Sequence, residues 1–175
     1  AGAGSGKTRV LTYRIVHLLK NGVDPFNILS LTFTNKAAKE MKERIEKIVG
    51  LDAKNIWMGT FHSVFAKILR IEAHKIGFTA NFTIYDSDDS QKLVNRIIKE
   101  FNLDKDIYKH KLVFSRISSM KNNFISDIDY KKNDELLFSD KISNQPKFHI
   151  IYSEYVNRCF KAGAMDFDDL LLKTN

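Results

Sequence analysis

The first eight residues, Ala1-Gly2-Ala3-Gly4-Ser5-Gly6-Lys7-Thr8, have the types and spacing of a phosphate-binding loop, G-x-x-x-x-G-K-[ST], with Ala at the first Gly. Glycines let backbone N–H groups curl around phosphate oxygens. Lys7 brings a cation to the β- and γ-phosphates, and the Thr8 hydroxyl can ligate Mg²⁺. The helix that follows points its positive end at the same anion. The loop does not distinguish adenine from guanine. The absence of a guanine-specificity motif in the rest of the chain weakly favours ATP. A loop of this kind normally ends a β-strand, and no strand precedes it here. The expectation is a piece of a longer chain, with Gly2–Thr8 poorly ordered unless an anion holds it.

Two further segments place polar groups and aromatics where a strand meets a helix. In Leu31–Met41, the residues Thr32, Thr34, Asn35 and Lys36 surround Phe33. Ligands of open α/β sheets sit at that carboxyl edge. Helix N–H groups and Thr hydroxyls suit backbone phosphates, and Phe33 offers a face on which a base can stack. Gly59-Thr60-Phe61-His62-Ser63 repeats the logic. The plainer alternatives stay open at this point: Phe33 in a core with Thr34 and Asn35 only capping, and His62 as a structural histidine.

Other candidates read as structural. Trp57 fits a core position at a strand edge. Asp88 and Asp89 fit a helix start, as do Asp166, Asp168 and Asp169, which precede the apolar Leu170-Leu171-Leu172. His17, His74, His110 and His149 lack metal-ligand spacing. The single cysteine, Cys159, excludes an internal disulfide framework, fits a small buried apolar residue and agrees with a reducing cytoplasm. No apolar run approaches the ~20 residues needed to span a bilayer, so no membrane partner is expected. The net charge of +7 is unevenly spread: residues 1–85 hold 13 Lys/Arg and 6 Asp/Glu, whereas residues 86–175 hold 15 of each. The excess lies wholly in the half with the phosphate loop and favours a polyanion there, nucleic acid first.

The elements that position these groups alternate in the first half. A helix is predicted over 8–21, ending at Asn21-Gly22, and a strand over Ile28–Phe33. Asn35 is predicted to cap a helix that Gly50 ends. A strand follows over Ile56–Gly59, then a helix capped by Thr60 and ended by Gly77, then a strand over Phe82–Tyr85. Such alternation predicts a parallel sheet with right-handed crossovers. After Tyr85 the chain reads as mainly helical. Helices are expected from Asp86 to about Phe101, over 110–121 and over 147–161. A polar loop with one short helix is expected over 122–146, and a last helix from Met165.

Ala1–Thr8 with Arg9, Thr32–Met41 (TFTNKAAKEM), Gly59–Ser63 (GTFHS), Tyr85–Asp89 (YDSDD) and Met165–Leu171 (MDFDDLL) stand in the order and spacing of the UvrD/PcrA/Rep-type superfamily 1 DNA helicases, which the chain resembles over nearly its whole length. The likeness is weakest over 102–160. It implies an α/β fold: a P-loop NTPase (RecA-like) parallel sheet, truncated, with an inserted mainly helical subdomain. The implied divisions are 1–87 for the partial motor domain, 88–163 for the insertion and 164–175 for the return toward the motor. The implied activity is ATP-driven 3′-to-5′ movement on single-stranded DNA in repair or replication. Implied partners are single-stranded DNA, single-strand/duplex junctions touched by the insertion, and repair proteins; the implied location is cytoplasmic. Carried over by position, Gly2, Ala3, Gly4, Ser5, Gly6, Lys7 and Thr8 bind the triphosphate with Mg²⁺ on Thr8, and Arg9 packs on the adenine. Phe33, Thr34, Asn35, Lys36, Thr60 and His62 fall in the DNA-contacting segments. The family's upstream glutamine motif and its acidic Asp-Glu strand have no counterpart in these residues. They are expected outside them, which would leave this piece alone inactive. The competing readings are a recombination helicase–nuclease of the AddA or RecB type and a piece that only binds nucleotide or DNA. A P-loop kinase or GTPase would not explain TFTNKAA followed by GTFHS.

Overall fold

The computed structural model describes residues 6–174. They form two compact units that divide between Lys67 and Ile68.

The first unit begins with α1 (Lys7–Lys20), which turns Ile15 and Val16 inward. It ends as helical termini with a left-handed glycine do: Gly22 at φ 81° lets its own N–H reach Leu19 O at 3.0 Å and the Val23 N–H reach Leu18 O at 3.1 Å. Next come β1 (Leu29–Thr32), α2 (Asn35–Val49), β2 (Trp57–Thr60) and the start of α3 (Phe61–Glu72). The two strands pair in parallel, Leu29 opposite Trp57 and Thr32 opposite Thr60. Ile15, Ile28, Met41, Ile45, Ala53 and Ile56 make the core beneath them. The buried Ser30 finds its partner inside that core, donating to Met41 Sδ at 3.3 Å. Asn35 is not the cap of α2. The residue before it, Thr34, has extended backbone and accepts from the Ala37 N–H at 3.2 Å, and Asn35 is already helical.

The second unit holds the remainder of α3, then β3 (Thr83–Tyr85), α4 (Ser87–Glu100), α5 (His110–Asn122), α6 (Asp127–Lys132), α7 (Asp134–Ile142), α8 (Phe148–Lys161), β4 (Ala164–Asp166) and α9 (Phe167–Leu172). Its core is a helical cluster that includes Val94, Ile97, Ile117, Tyr130, Phe148, Ile151, Tyr152 and Tyr155.

Three expectations are corrected here. Met165 and Asp166 are not helical: with Ala164 they form β4, parallel to β3 with Thr83 opposite Ala164 and Tyr85 opposite Asp166. All three residues of β4 are buried, so no in–out alternation marks it as a strand. Residues 122–146 hold two helices rather than one. Each carries its own cap, a Ser126–Asp129 capping box for α6 and Asn133 accepting from the Glu135 and Leu136 N–H groups for α7. Each buries one residue fully, Tyr130 in α6 and Asp140 in α7. Finally, the described strands pair as β1–β2 and β3–β4 rather than as one run of three. The fold is mixed α/β, mostly helical, with short parallel strands.

Candidate functional site

Of the phosphate-loop residues, Gly2, Ala3, Gly4 and Ser5 lie outside the described residues, and with them most of the expectation about loop order. Gly6 stands in left-handed backbone, φ 79° and ψ 10°, as the residue preceding α1. A side chain would strain that conformation. Lys7 and Thr8 open the helix in regular backbone and, like Arg9, are exposed. The first N–H groups of a helix have no acceptor within it, so this terminus faces outward with donors and a lysine. Thr8 O is held from behind by the buried Thr12, whose hydroxyl donates to it at 2.8 Å. The residues described here fit a triphosphate and its Mg²⁺: exposed donors, one cation and one hydroxyl. The Arg9 guanidinium lies 5.8 Å from the centroid of the Tyr13 ring, one turn along the helix.

The second part of the site lies where β1 and β2 end together. Thr32 and Thr60 are register partners, so the residues after each strand emerge side by side at the same carboxyl edge. Thr34 caps α2 and Thr60 caps α3, accepting from the Ser63 N–H at 3.3 Å. Two helix N-termini therefore start from one edge. Phe33 is 93% exposed, which removes the alternative that it is core. Its ring centroid lies 5.9 Å from that of Phe61, which meets Phe65 edge-on at 6.1 Å. The result is an aromatic surface flanked by exposed Asn35 and Lys36 and half-buried His62. Gly59 makes the close turn feasible. A Cβ there would stand 2.5 Å from Ser63 Oγ, which donates to Thr60 O at 2.9 Å. Thr32 Oγ1 donates locally to Thr34 O at 3.1 Å and, across the strand pair, lies 3.5 Å from Gly59 O on β2.

A buried ion cluster was not anticipated from the sequence. Lys121 on α5 is 2% exposed and reaches Asp166 Oδ2 at 2.6 Å and Asp169 Oδ1 at 2.9 Å. The Tyr155 hydroxyl donates to Asp166 Oδ2 at 2.7 Å. Asp166 and Asp169 also form the capping box of α9, which bears out their reading as helix-start acids. Burial alone would pull the Lys121 ammonium down, but Asp169 and Asp166 together hold it above the ordinary lysine range. Burial pushes both carboxyls up. For Asp166, Lys121 and Tyr155 outweigh it and the carboxyl stays below its usual range; for Asp169, burial and the Asp166 charge win and it rises. One ammonium shared by two buried carboxylates neutralises only one of them. The sequence did carry a signal: Val113, Ile117 and Lys121 recur every fourth residue, so the lysine falls on the buried stripe of α5. A second pair, Arg116 with the fully buried Asp140, joins α5 to α7, and Tyr130 hydrogen-bonds the same carboxylate at 3.0 Å.

The remaining candidates are structural. Cys159 is buried, and burial pushes its thiol up to about 12. Asp88 and Asp89 sit in the first turn of α4 behind the actual cap, Asp86. Trp57 is half-buried at the start of β2. Among the described residues, no three His, Cys, Asp or Glu side chains are grouped to hold a metal ion, and no helix is long and apolar enough to cross a membrane.

Over residues 1–175 the chain matches the family model of the UvrD/REP helicase N-terminal domain. It is 43% identical over 175 residues to the ATP-dependent DNA helicase PcrA of Staphylococcus aureus strain Mu50 and to that of Staphylococcus epidermidis strain RP62A. In both cases the match takes in 99% of this chain and 23% of the relative, so the chain spans under a quarter of the length of these relatives.

Proposed function

The chain belongs to the UvrD/REP helicase N-terminal domain family, and on that footing we propose that it is part of the first motor domain of an ATP-dependent DNA helicase that moves 3′ to 5′ on single-stranded DNA. The observation that carries the reading is the shared carboxyl edge of β1 and β2, where Phe33 to Lys36 and Thr60 to His62 emerge together. Exposed Phe33, with Phe61 beside it, offers bases a stacking surface. The Thr34 and Thr60 helix starts, with Asn35, Lys36 and His62, suit the backbone phosphates. A strand held this way is gripped through faces that every base has, which is what a motor indifferent to sequence needs.

At the other terminus, Gly2 to Thr8 cradle the triphosphate of ATP, and Arg9 packs on the adenine. Lys7 offsets the charge that gathers on the γ-phosphate. Bound Mg²⁺, held by the nucleotide and the Thr8 hydroxyl, would add to that neutralisation. In this reading, 1–87 is part of a RecA-like motor, 88–163 an inserted helical subdomain that meets single-strand/duplex junctions, and 164–175 the return to the motor. The placement of α4–α8 between the paired β3 and β4 supports that division. The enzyme serves DNA repair or replication in the cytoplasm.

The test is Lys7→Ala in the full-length protein. DNA-stimulated ATP hydrolysis is expected to fall about 100-fold or more, in line with the removal of one electrostatic stabiliser. Single-strand affinity at fixed salt should be largely kept. Near-normal hydrolysis would overturn the reading.

A further inference from the structure

We infer that Tyr13 is a positioning residue for the nucleotide base, acting through Arg9. This rests on the nucleotide reading just proposed. The first turn of α1 spends Lys7 and Thr8 on phosphates, so the residues that follow on the exposed side of the helix are the next in reach of the base. Arg9 is the first of these, and Tyr13 is the residue one turn later on the same side. Tyr13 is 55% exposed and takes no part in the core around Ile15. Its ring instead lies beneath the Arg9 guanidinium, at 5.8 Å.

An unsupported arginine on a helix surface samples many rotamers, and fixing one for a base costs entropy on binding. A ring under the guanidinium narrows that choice beforehand. Arg9 itself is exposed, so its guanidinium stays within reach of a base that stacks on it. Tyr13 touches neither the phosphates nor the reacting bond, so its effect should appear in affinity for the base and not in turnover.

The experiment uses the full-length enzyme with two ligands: ATP, and inorganic tripolyphosphate as a competitor that has phosphates but no base. In Tyr13→Leu, KM for ATP is expected to rise about twofold to fivefold, the weight of one exposed cation–π contact, with kcat unchanged. The inhibition constant of tripolyphosphate should not move. Tyr13→Phe keeps the ring and should restore the original KM. In an Arg9→Ala background, Tyr13→Leu should add nothing. An unchanged KM in Tyr13→Leu overturns the inference, and so does a parallel loss for tripolyphosphate, which would mean that the whole helix start had shifted. If Lys7→Ala weakens neither ligand, the nucleotide reading fails instead, whatever Tyr13 does.

Discussion

The carboxyl end of the β1–β2 pair and that of the β3–β4 pair are built alike and finished differently. Each pair is parallel, and in each a strand passes straight into a helix through a capping side chain: Thr34 and Thr60 in the first, Asp86 and Asp166 in the second. At the first edge the caps are hydroxyls on an open rim, with Phe33 and Phe61 in solvent. At the end of β4 the cap is a carboxylate, 2% exposed, clamped by Lys121 and Tyr155. The net charge leans the same way: residues 1–67 hold 11 Lys/Arg and 5 Asp/Glu, whereas residues 68–175 hold 17 and 16. The same strand-to-helix turn thus leaves an open edge when its cap is neutral and solvated. It becomes a weld between elements when its cap is charged, buried and paired.

The comparison breaks most visibly if the weld carries no weight. Lys121→Ala leaves two buried carboxylates without a counter-ion and is expected to lower unfolding free energy by about 3–5 kcal/mol in urea titrations. An effect below about 1 kcal/mol would mean that the cluster is solvated and the contrast false. The pH dependence sharpens it. Asp166 has its pKa lowered on folding, so its contribution holds above the ordinary carboxylate range and is lost as pH falls through the depressed folded value. Lys121 has its pKa raised, so its contribution is full below the ordinary lysine range and is lost as pH rises through the folded value. Asp169, pushed up, works against Asp166: its protonated form is the one that folding favours, and its charge costs stability at neutral pH. Asp169→Asn should therefore destabilise less than Asp166→Asn at pH 7. Equal losses would show that both carboxylates are equally paired.

The open edge should respond in the reverse way, with binding lost and stability kept. Phe33→Ala removes a side chain that is 93% exposed, so unfolding free energy should stay within about 0.5 kcal/mol. Single-strand affinity, measured at fixed salt in the full-length protein, should weaken by about 1–3 kcal/mol for the lost stack. Unchanged affinity would reject Phe33 as a stacking surface.

How much of this was legible follows from where the information sits. The first unit could be read nearly residue by residue because its signals are local. The apolar spacing of α1, the Gly22 and Gly50 terminators and the Thr60 cap each act within a few residues of themselves, and each stands where expected. The adjacency of the two motifs is different in kind. It depends on a strand pairing across 28 residues, from Thr32 to Thr60, which periodicity does not encode. β4 was missed because three buried residues have no alternation to read, and because the capping acids beside them pointed to a helix start. The ion cluster was missed because its partners come from α5, α8 and the start of α9, 45 residues apart between Lys121 and Asp166. Only the register of Lys121 on an apolar stripe hinted that acids had to meet it.

The smallest expected effect tests the caps themselves. Thr34 and Asp166 perform the same local task, accepting one N–H of the following helix at 3.2 Å and 2.8 Å respectively. If capping were the whole of it, replacing either by Ala would cost about the same, about 1 kcal/mol. Thr34→Ala should cost that much, since the Ala37 N–H it leaves at an exposed helix start can turn to water. Asn35→Ala, one residue into α2, should fall within a few tenths of a kcal/mol. Asp166→Ala should exceed Thr34→Ala severalfold, because it also strips the buried Tyr155 hydroxyl of its acceptor and Lys121 of one of its two carboxylate partners. A Thr34 loss as large as that of Asp166 would mean that the β1–β2 edge is not open but held by contacts of its own.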